Sequence, residues 1–231
     1  MSKPWQARQV RLIGEDNTNL LFEKTIMVCG LGGVGGSCCE ALCRAGVGTL
    51  ILIDNDTVNE TNINRQTFAS VETIGMKKTD AAKKRLEAIN PDIKLVLLDT
   101  FLTPENIPDI LDEYKPCYVI DAIDNVTAKA SLVLECYKKE IPLTASMGTG
   151  NKVNPEKLKI TDISKTSVCP LARVMRRKVK ELGVKKYEVL WSEELPVTPE
   201  DGERTPASVS FVPPCAGIMI AGRVIRNILK I

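Results

Sequence analysis

Unbroken apolar runs alternate along the chain with segments whose apolar residues recur every three or four positions, and this alternation predicts an α/β chain. The runs are TIMVC at 25–29, TLILID at 49–54, IKLVLL at 93–98, CYVIDA at 117–122 and IPLTA at 141–145. A continuous apolar strand is buried on both faces, which places it in a parallel sheet covered by helices. Helices are expected from the glycines at 30–36 to about Ala45, over 77–90 up to Asn90-Pro91, over 104–113 and over 126–139. The predicted architecture is a Rossmann-like, doubly wound, mostly parallel sheet spanning residues 20–150.

After Gly150 the pattern changes. Prolines stand at 155, 170, 196, 199, 206, 213 and 214, KLKITD at 157–162 reads as a further strand, and 192–206 reads as a polar loop. The segment 215–230 has the spacing of a helix packed on the sheet, with Gly217 and Gly222 permitting close approach. Arg223 and Arg226 interrupt a stretch already too short to span a bilayer, so no membrane insertion is expected.

Composition narrows the chemistry. The 231 residues suffice for one well-packed core, and 31 Lys+Arg against 29 Asp+Glu give a formal charge of +2. Histidine is absent, which removes Ser-His-Asp triads, Cys-His pairs and His-ligated zinc or haem. The eight cysteines lie at 29, 38, 39, 43, 117, 136, 169 and 215 without a C-x-x-C pair, so no zinc site is expected, and Cys29, Cys117 and Cys136 read as buried thiols. No signal peptide opens the chain, and the expected compartment is the reducing cytoplasm.

Gly30-Leu31-Gly32-Gly33-Val34-Gly35 fits G-x-G-x-x-G between a strand and a helix, where glycines permit a tight turn and unpaired N–H groups meet phosphate. Asp54 ends the next strand, 24 residues after Gly30, where a carboxylate accepts from ribose hydroxyls. A dehydrogenase needs little beyond this. Here the chain continues through Asp56, Asn62, Asn64, Arg65 and Gln66, reaches Lys77-Lys78, and sets Asp121 and Asp124 (DAIDN) at the end of the fourth strand. Two cations and several carboxylates on a phosphate site suit attack on the α-phosphate of ATP, with Asp holding Mg²⁺.

The set GLGGVG, IDND-x-V, TNINRQ, Lys78, NPDIKL and VIDAIDN resembles the ubiquitin-activating-like family of adenylating enzymes. That resemblance implies a homodimer that forms acyl adenylates and releases pyrophosphate. It implies that Gly32 and its neighbours cradle phosphate, Asp54 binds ribose, Asn62, Arg65 and Lys78 contact the triphosphate, and Asp124 coordinates Mg²⁺. It also implies that Arg8 reaches into the partner subunit's site, with Arg11 as a competitor for that role. Sulfur-carrier activators of this family typically carry two C-x-x-C pairs, which this chain lacks. TDISKT at 161–166, CPLARVMRR at 169–177 and SVSFVPPCAG at 208–217 are instead similar to the branch of tRNA threonylcarbamoyladenosine dehydratases. The branch implies ATP-dependent activation of the threonylcarbamoyl carboxylate on adenosine 37 of tRNA, followed by internal cyclisation, and it raises a sulfur-relay protein as a further partner. Adenylation of a ubiquitin-like sulfur carrier is the alternative. The resulting division is one domain over 1–231, with a nucleotide-binding core at 20–150 and a substrate-facing, sheet-completing elaboration at 151–231.

Residue spacing adds a modest signal for nucleic acid. Leu171, Met175, Val179 and Leu182 share one helical arc, and Arg173, Arg176, Arg177 and Lys180 the opposite one, so that the cations turn outward to phosphates. A solvated face is the plain alternative. Trp191 and Tyr187 are candidate stacking platforms against a packing role. Cys169 stands where a helix begins, open to reading as a nucleophile, and Cys215 reads chiefly as core.

Overall fold

The computed structural model describes residues 2–200 and 205–231, so 201–204 of the expected 192–206 loop lie outside the described residues. Among the described residues seven strands form one sheet: β1 (Thr25–Cys29), β2 (Thr49–Ile53), β3 (Lys94–Leu98), β4 (Tyr118–Asp121), β5 (Leu143–Ser146), β6 (Leu158–Asp162) and β7 (Glu188–Ser192). Their order is β3-β2-β1-β4-β5-β7-β6, parallel throughout except for the antiparallel edge strand β6. Among the described residues the α-helices are α1 (Ala7–Ile13), α2 (Glu15–Phe22), α3 (Gly33–Arg44), α4 (Lys78–Ile89), α5 (Ile107–Tyr114), α6 (Val126–Lys138), α7 (Pro170–Glu181) and α8 (Val212–Leu229).

Alternation along the strands sorts the core into two layers. Ile26, Val28, Leu50, Leu52 and Ile120 face α3, α4 and α8. Met27, Cys29, Ile51, Ile53 and Val119 face α5 and α6. A third apolar cluster joins Ala145, Val189 and Trp191 to Met175 and Val179 of α7. The doubly wound sheet is therefore the one expected, extended by β7 and β6 from the elaboration. Trp191 is 4% exposed within that cluster, which removes it as a stacking platform, and Tyr187 is half-buried at its edge.

Two further expectations are corrected. Cys117 is exposed, because β4 starts one residue later at Tyr118, whereas Cys29 and Cys136 are buried as read. The final helix is longer than the segment 215–230 predicted from sequence: α8 has 18 residues and a mean hydropathy of 1.2, long and apolar enough to cross a membrane by length and composition alone. It lies instead along α3, so closely that a Cβ on Gly217 would meet Val34 O at 2.2 Å. Only glycine permits that approach, and it makes α8 a core helix of this domain.

Candidate functional site

β1 and β4 are neighbours whose following helices lie on opposite faces, and at such a switch the loops part to leave a crevice at the carboxyl ends of the strands. A cavity of about 440 Å³ lies there. The chain leaves β1 through Gly30, whose φ of +88° suits glycine, and a Cβ on Gly35 would lie 1.8 Å from Gly30 O. Gly35 thus packs the turn against the first turn of α3 and does not line the cavity; Gly30, Gly32 and Gly33 do. Helix α3 begins at Gly33, so its first N–H groups, which have no intrahelical acceptor, open on this space.

The second wall follows β2. The Asp54 carboxylate accepts from Leu31 N at 2.6 Å and Asp56 N at 2.9 Å, which ties the glycine turn to the end of β2. Burial pushes its pKa up, against opposing pulls from Lys78 and the two backbone N–H groups. Lys78 opens α4, is 7% exposed, and places Nζ 2.7 Å from Asp56 Oδ2 and 3.8 Å from Asp54 Oδ1. The segment 59–66 is folded by local contacts: Asn62 Oδ1 accepts from Asn59 N at 3.0 Å, and Arg65 Nη1 donates to Thr61 O and Asn64 Oδ1, both at 2.9 Å. These contacts bring Asn62, Arg65 and Gln66 onto the same cavity wall as Lys78. Asn64 lies outside it and donates to Ser208 O. Sequence reasoning missed Asn55, Thr100, Phe101 and Leu102, which also line the space; the signal available was their place just beyond β2 and β3, at the edge where ligands bind.

The two carboxylates of DAIDN separate. Asp124 is exposed and lines the cavity. Asp121, expected beside it, is wholly buried and outside the lining, because it is the last residue of β4 and Lys129 of α6 draws it into the layer below. Lys129 Nζ lies 2.9 Å from Asp121 Oδ1 and donates to Ile123 O at 3.0 Å, while Ile123 N donates to Asp121 Oδ1 at 3.1 Å. This buried clamp shapes the loop that carries Asp124. Burial raises the Asp121 pKa, and Lys129 opposes the rise.

A second cavity of about 490 Å³ adjoins the first and shares Gly32, Gly33, Arg65 and Asp124 with it. Its remaining walls come from the segment after β5, the start of α7 and the residues before α8, among them Thr149, Lys152, Cys169 and Ser208. Cys169 is 1% exposed and Cys215 is partly buried within α8. Among the described residues, no group of three or more Cys, Asp or Glu side chains is arranged to hold a metal.

Arg8 does not line the cavity of its own chain. Its neighbour Gln9 donates to Ala45 O, before β2, whereas the cavity opens beyond the other end of that five-residue strand, about 16 Å away. Helix α1 has no buried residue, and Leu12 is 85% exposed. On α7, Met175 and Val179 are buried and Arg173, Arg177 and Lys180 are exposed, as the two arcs predicted. Arg176 departs from the expected outward set: it donates to Thr166 O at 2.8 Å and to Thr166 Oγ1, satisfying groups at the edge of the core. Leu182, expected on the apolar arc, is 43% exposed because the helix ends at Glu181.

The ThiF family model matches residues 6–231. The tRNA threonylcarbamoyladenosine dehydratase of Bacillus subtilis is 39% identical over 97% of this chain and 94% of its own. The crystal structure of the Escherichia coli tRNA N6-threonylcarbamoyladenosine dehydratase in complex with ATP superposes with a TM-score of 0.91, at 32% identity, covering 99% of this chain and 96% of that one. Its complex with AMP gives the same TM-score. By its family model and these full-length relatives, the chain belongs to the ThiF family, in the branch of the tRNA threonylcarbamoyladenosine dehydratases.

Proposed function

We propose that the protein uses ATP to cyclise threonylcarbamoyladenosine at position 37 of tRNA, a net dehydration that passes through an acyl adenylate. The observation that carries this reading is the pair of adjoining cavities: a polar nucleotide site whose shared boundary holds Arg65 and Asp124, opening on a second space of a size to take the acyl side chain.

In this reading Asp54 binds ribose, Gly30, Gly32 and Gly33 with the start of α3 receive phosphate, and Asn62, Gln66, Lys78 and Asp56 complete the wall. A carboxylate oxygen of the substrate attacks the α-phosphorus and the bond to pyrophosphate breaks. Arg65 and Lys78 stabilise the charge that grows on the phosphate oxygens. Asp124 suits Mg²⁺, an ion held by one or two carboxylates together with substrate phosphates rather than by an all-protein cage. When bound, Mg²⁺ supplies charge neutralisation on the triphosphate. An internal nitrogen of the modification then attacks the acyl carbon, and AMP leaves.

Arg8, with Arg11 as the competing residue, serves the partner site of a homodimer, which agrees with its exposure on α1 and its distance from its own cavity. Arg173, Arg177 and Lys180 meet tRNA phosphates without reading sequence. The resemblance adds a sulfur-relay protein to the proposed partners, testable by co-purification. Residues 1–231 act as one domain, 20–150 holding nucleotide and 151–231 facing substrate and completing the sheet, in the cytoplasm with its substrate.

The test incubates the protein with α-labelled ATP, Mg²⁺ and tRNA carrying threonylcarbamoyladenosine. The expected result is AMP, pyrophosphate and loss of one water from the nucleoside by mass spectrometry. Turnover with a ubiquitin-like carrier ending in Gly-Gly, and none with that tRNA, overturns the reading.

A further inference from the structure

The second cavity contains a buried amine that adenylation leaves unused. Lys152, in the segment after β5, is 3% exposed and forms part of the cavity wall. Its Nζ donates to Glu194 O at 2.6 Å. An ammonium carries three N–H donors, and among the described residues this one carbonyl is the acceptor it has. The Glu194 carboxylate is engaged elsewhere, accepting from Val153 N at 3.0 Å and Asn154 N at 2.9 Å. Cys169, at the start of α7, lines the same cavity, and Arg65 and Asp124, one charge of each sign, stand at the mouth shared with the nucleotide cavity. Burial pushes the Lys152 pKa down, against weaker opposing pulls from Cys169 and Glu194.

Ring closure has a requirement that adenylation lacks: the attacking nitrogen must lose its proton. The chain has no histidine to take it. Lys78 is ion-paired with Asp56, and an arginine does not act as a base. Resting on the dehydratase reading above, we infer that Lys152 is the proton acceptor of the cyclisation step. Its neutral Nζ takes the N–H proton of the internal nitrogen as that nitrogen forms its bond to the acyl carbon and the acyl C–O bond to AMP breaks. AMP leaves with the bonding electron pair, the ring is neutral, and Lys152 departs as an ammonium that returns its proton to water before the next turnover. The hydrogen bond to Glu194 O holds the amine in the wall and leaves its lone pair for the substrate.

The test follows a single turnover with ATP and tRNA carrying threonylcarbamoyladenosine, reading pyrophosphate release and cyclic nucleoside separately across pH. Wild-type ring closure should accelerate with rising pH along a limb that pyrophosphate release does not share. Lys152→Gln should release pyrophosphate at the wild-type rate yet close the ring about 10²-fold more slowly, without the limb, so that acyl adenylate accumulates and hydroxylamine traps it. Lys152→Arg carries a permanent charge and cannot accept a proton, so it should not rescue. Ring closure by Lys152→Gln at the wild-type rate, rescue by Lys152→Arg, or a flat wild-type profile for ring closure would each overturn the inference. The wild-type profile decides the matter alone if the variants fail to fold. Absence of pyrophosphate release by the wild type with this tRNA is a different failure, and removes the dehydratase reading itself.

Discussion

The two adjoining cavities are built by different constructions. Around β1 and β4 the connections are short, the longer one after β2 is folded back on its own side chains, and most charged groups are pinned: Asp54 by Leu31 N, Lys78 by Asp56, Asp121 by Lys129. Around β5 and β7 the walls of the second cavity come largely from irregular segments, held to one another by a reciprocal pair in which Asn151 N donates to Ala207 O and the Asn151 Oδ1 side chain accepts from Ala207 N, both 2.7 Å. A nucleotide is one fixed shape and suits rigid turns at strand ends. A modified base carried on a large RNA suits loops, which vary without disturbing the scaffold.

Breaking the rigid end at its buried clamp should give the largest effect. Lys129→Met leaves the Asp121 charge buried without a partner and should lower unfolding free energy by about 3–5 kcal/mol, read by urea titration. Lys129→Met with Asp121→Asn should recover much of that loss, since no uncompensated charge remains. The pH dependence has a definite sign. Folding raises the Asp121 pKa, so its contribution to stability is fullest below the ordinary carboxylate range and declines as pH rises through the folded value. Without Lys129 that decline should be steeper.

Within the nucleotide wall, Arg65→Ala should slow adenylation by about 10²–10³-fold with little change in unfolding midpoint, measured by substrate-dependent pyrophosphate release. Equal losses in rate and stability would make Arg65 a scaffold residue. For the proposed homodimer, Arg8→Ala and Asp124→Ala chains, each inactive alone, should regain one working site in mixed dimers; no recovery in verified mixed dimers moves the role to Arg11 or abolishes it. The smallest effect belongs to the loop-built end. Arg173→Ala, Arg177→Ala and Lys180→Ala combined should reduce the slope of log affinity for tRNA against log salt by about 2, and leave ATP affinity without tRNA unchanged. An unaltered slope returns this face of α7 to a solvated surface.

The contrast between the two ends also governs what was legible beforehand. The strands could be read because apolar runs bounded by glycine fix both element and burial, and the glycine turn, Asp54 and Asp124 follow from their places at strand ends, whereas the roles of Asn62, Arg65 and Lys78 rest on the resemblance of TNINRQ and Lys78 to the family. Asp121 could not be separated from Asp124 by spacing alone: its partner Lys129 is eight residues ahead, and only the packing of α6 under β4 brings them together. Arg176 lay on a correct helical arc but at its inner margin, where Thr166, ten residues earlier, needed a donor. Lys152 carried no local signal. It is one lysine in a turn, made distinctive by Glu194, forty-two residues later, and by the wall that α7 places against it.

The pressure of α8 on the phosphate turn has a consequence for the order of events during synthesis. Pro213 lies where a Cβ on Gly33 would meet it at 2.9 Å, and Gly217 rides on the Val34 carbonyl, so the first turn of α3 is backed by residues that follow it by some 180 positions. As the ribosome delivers the chain, β1, the glycine turn and α3 emerge long before the helix that buries them. The apolar face of α3 can settle on β1, β2 and α4, but the part that packs on α8 lacks its partner until α8 arrives. Nucleotide binding is then among the last properties the nascent protein acquires, although the motif that signals it is among the first segments made.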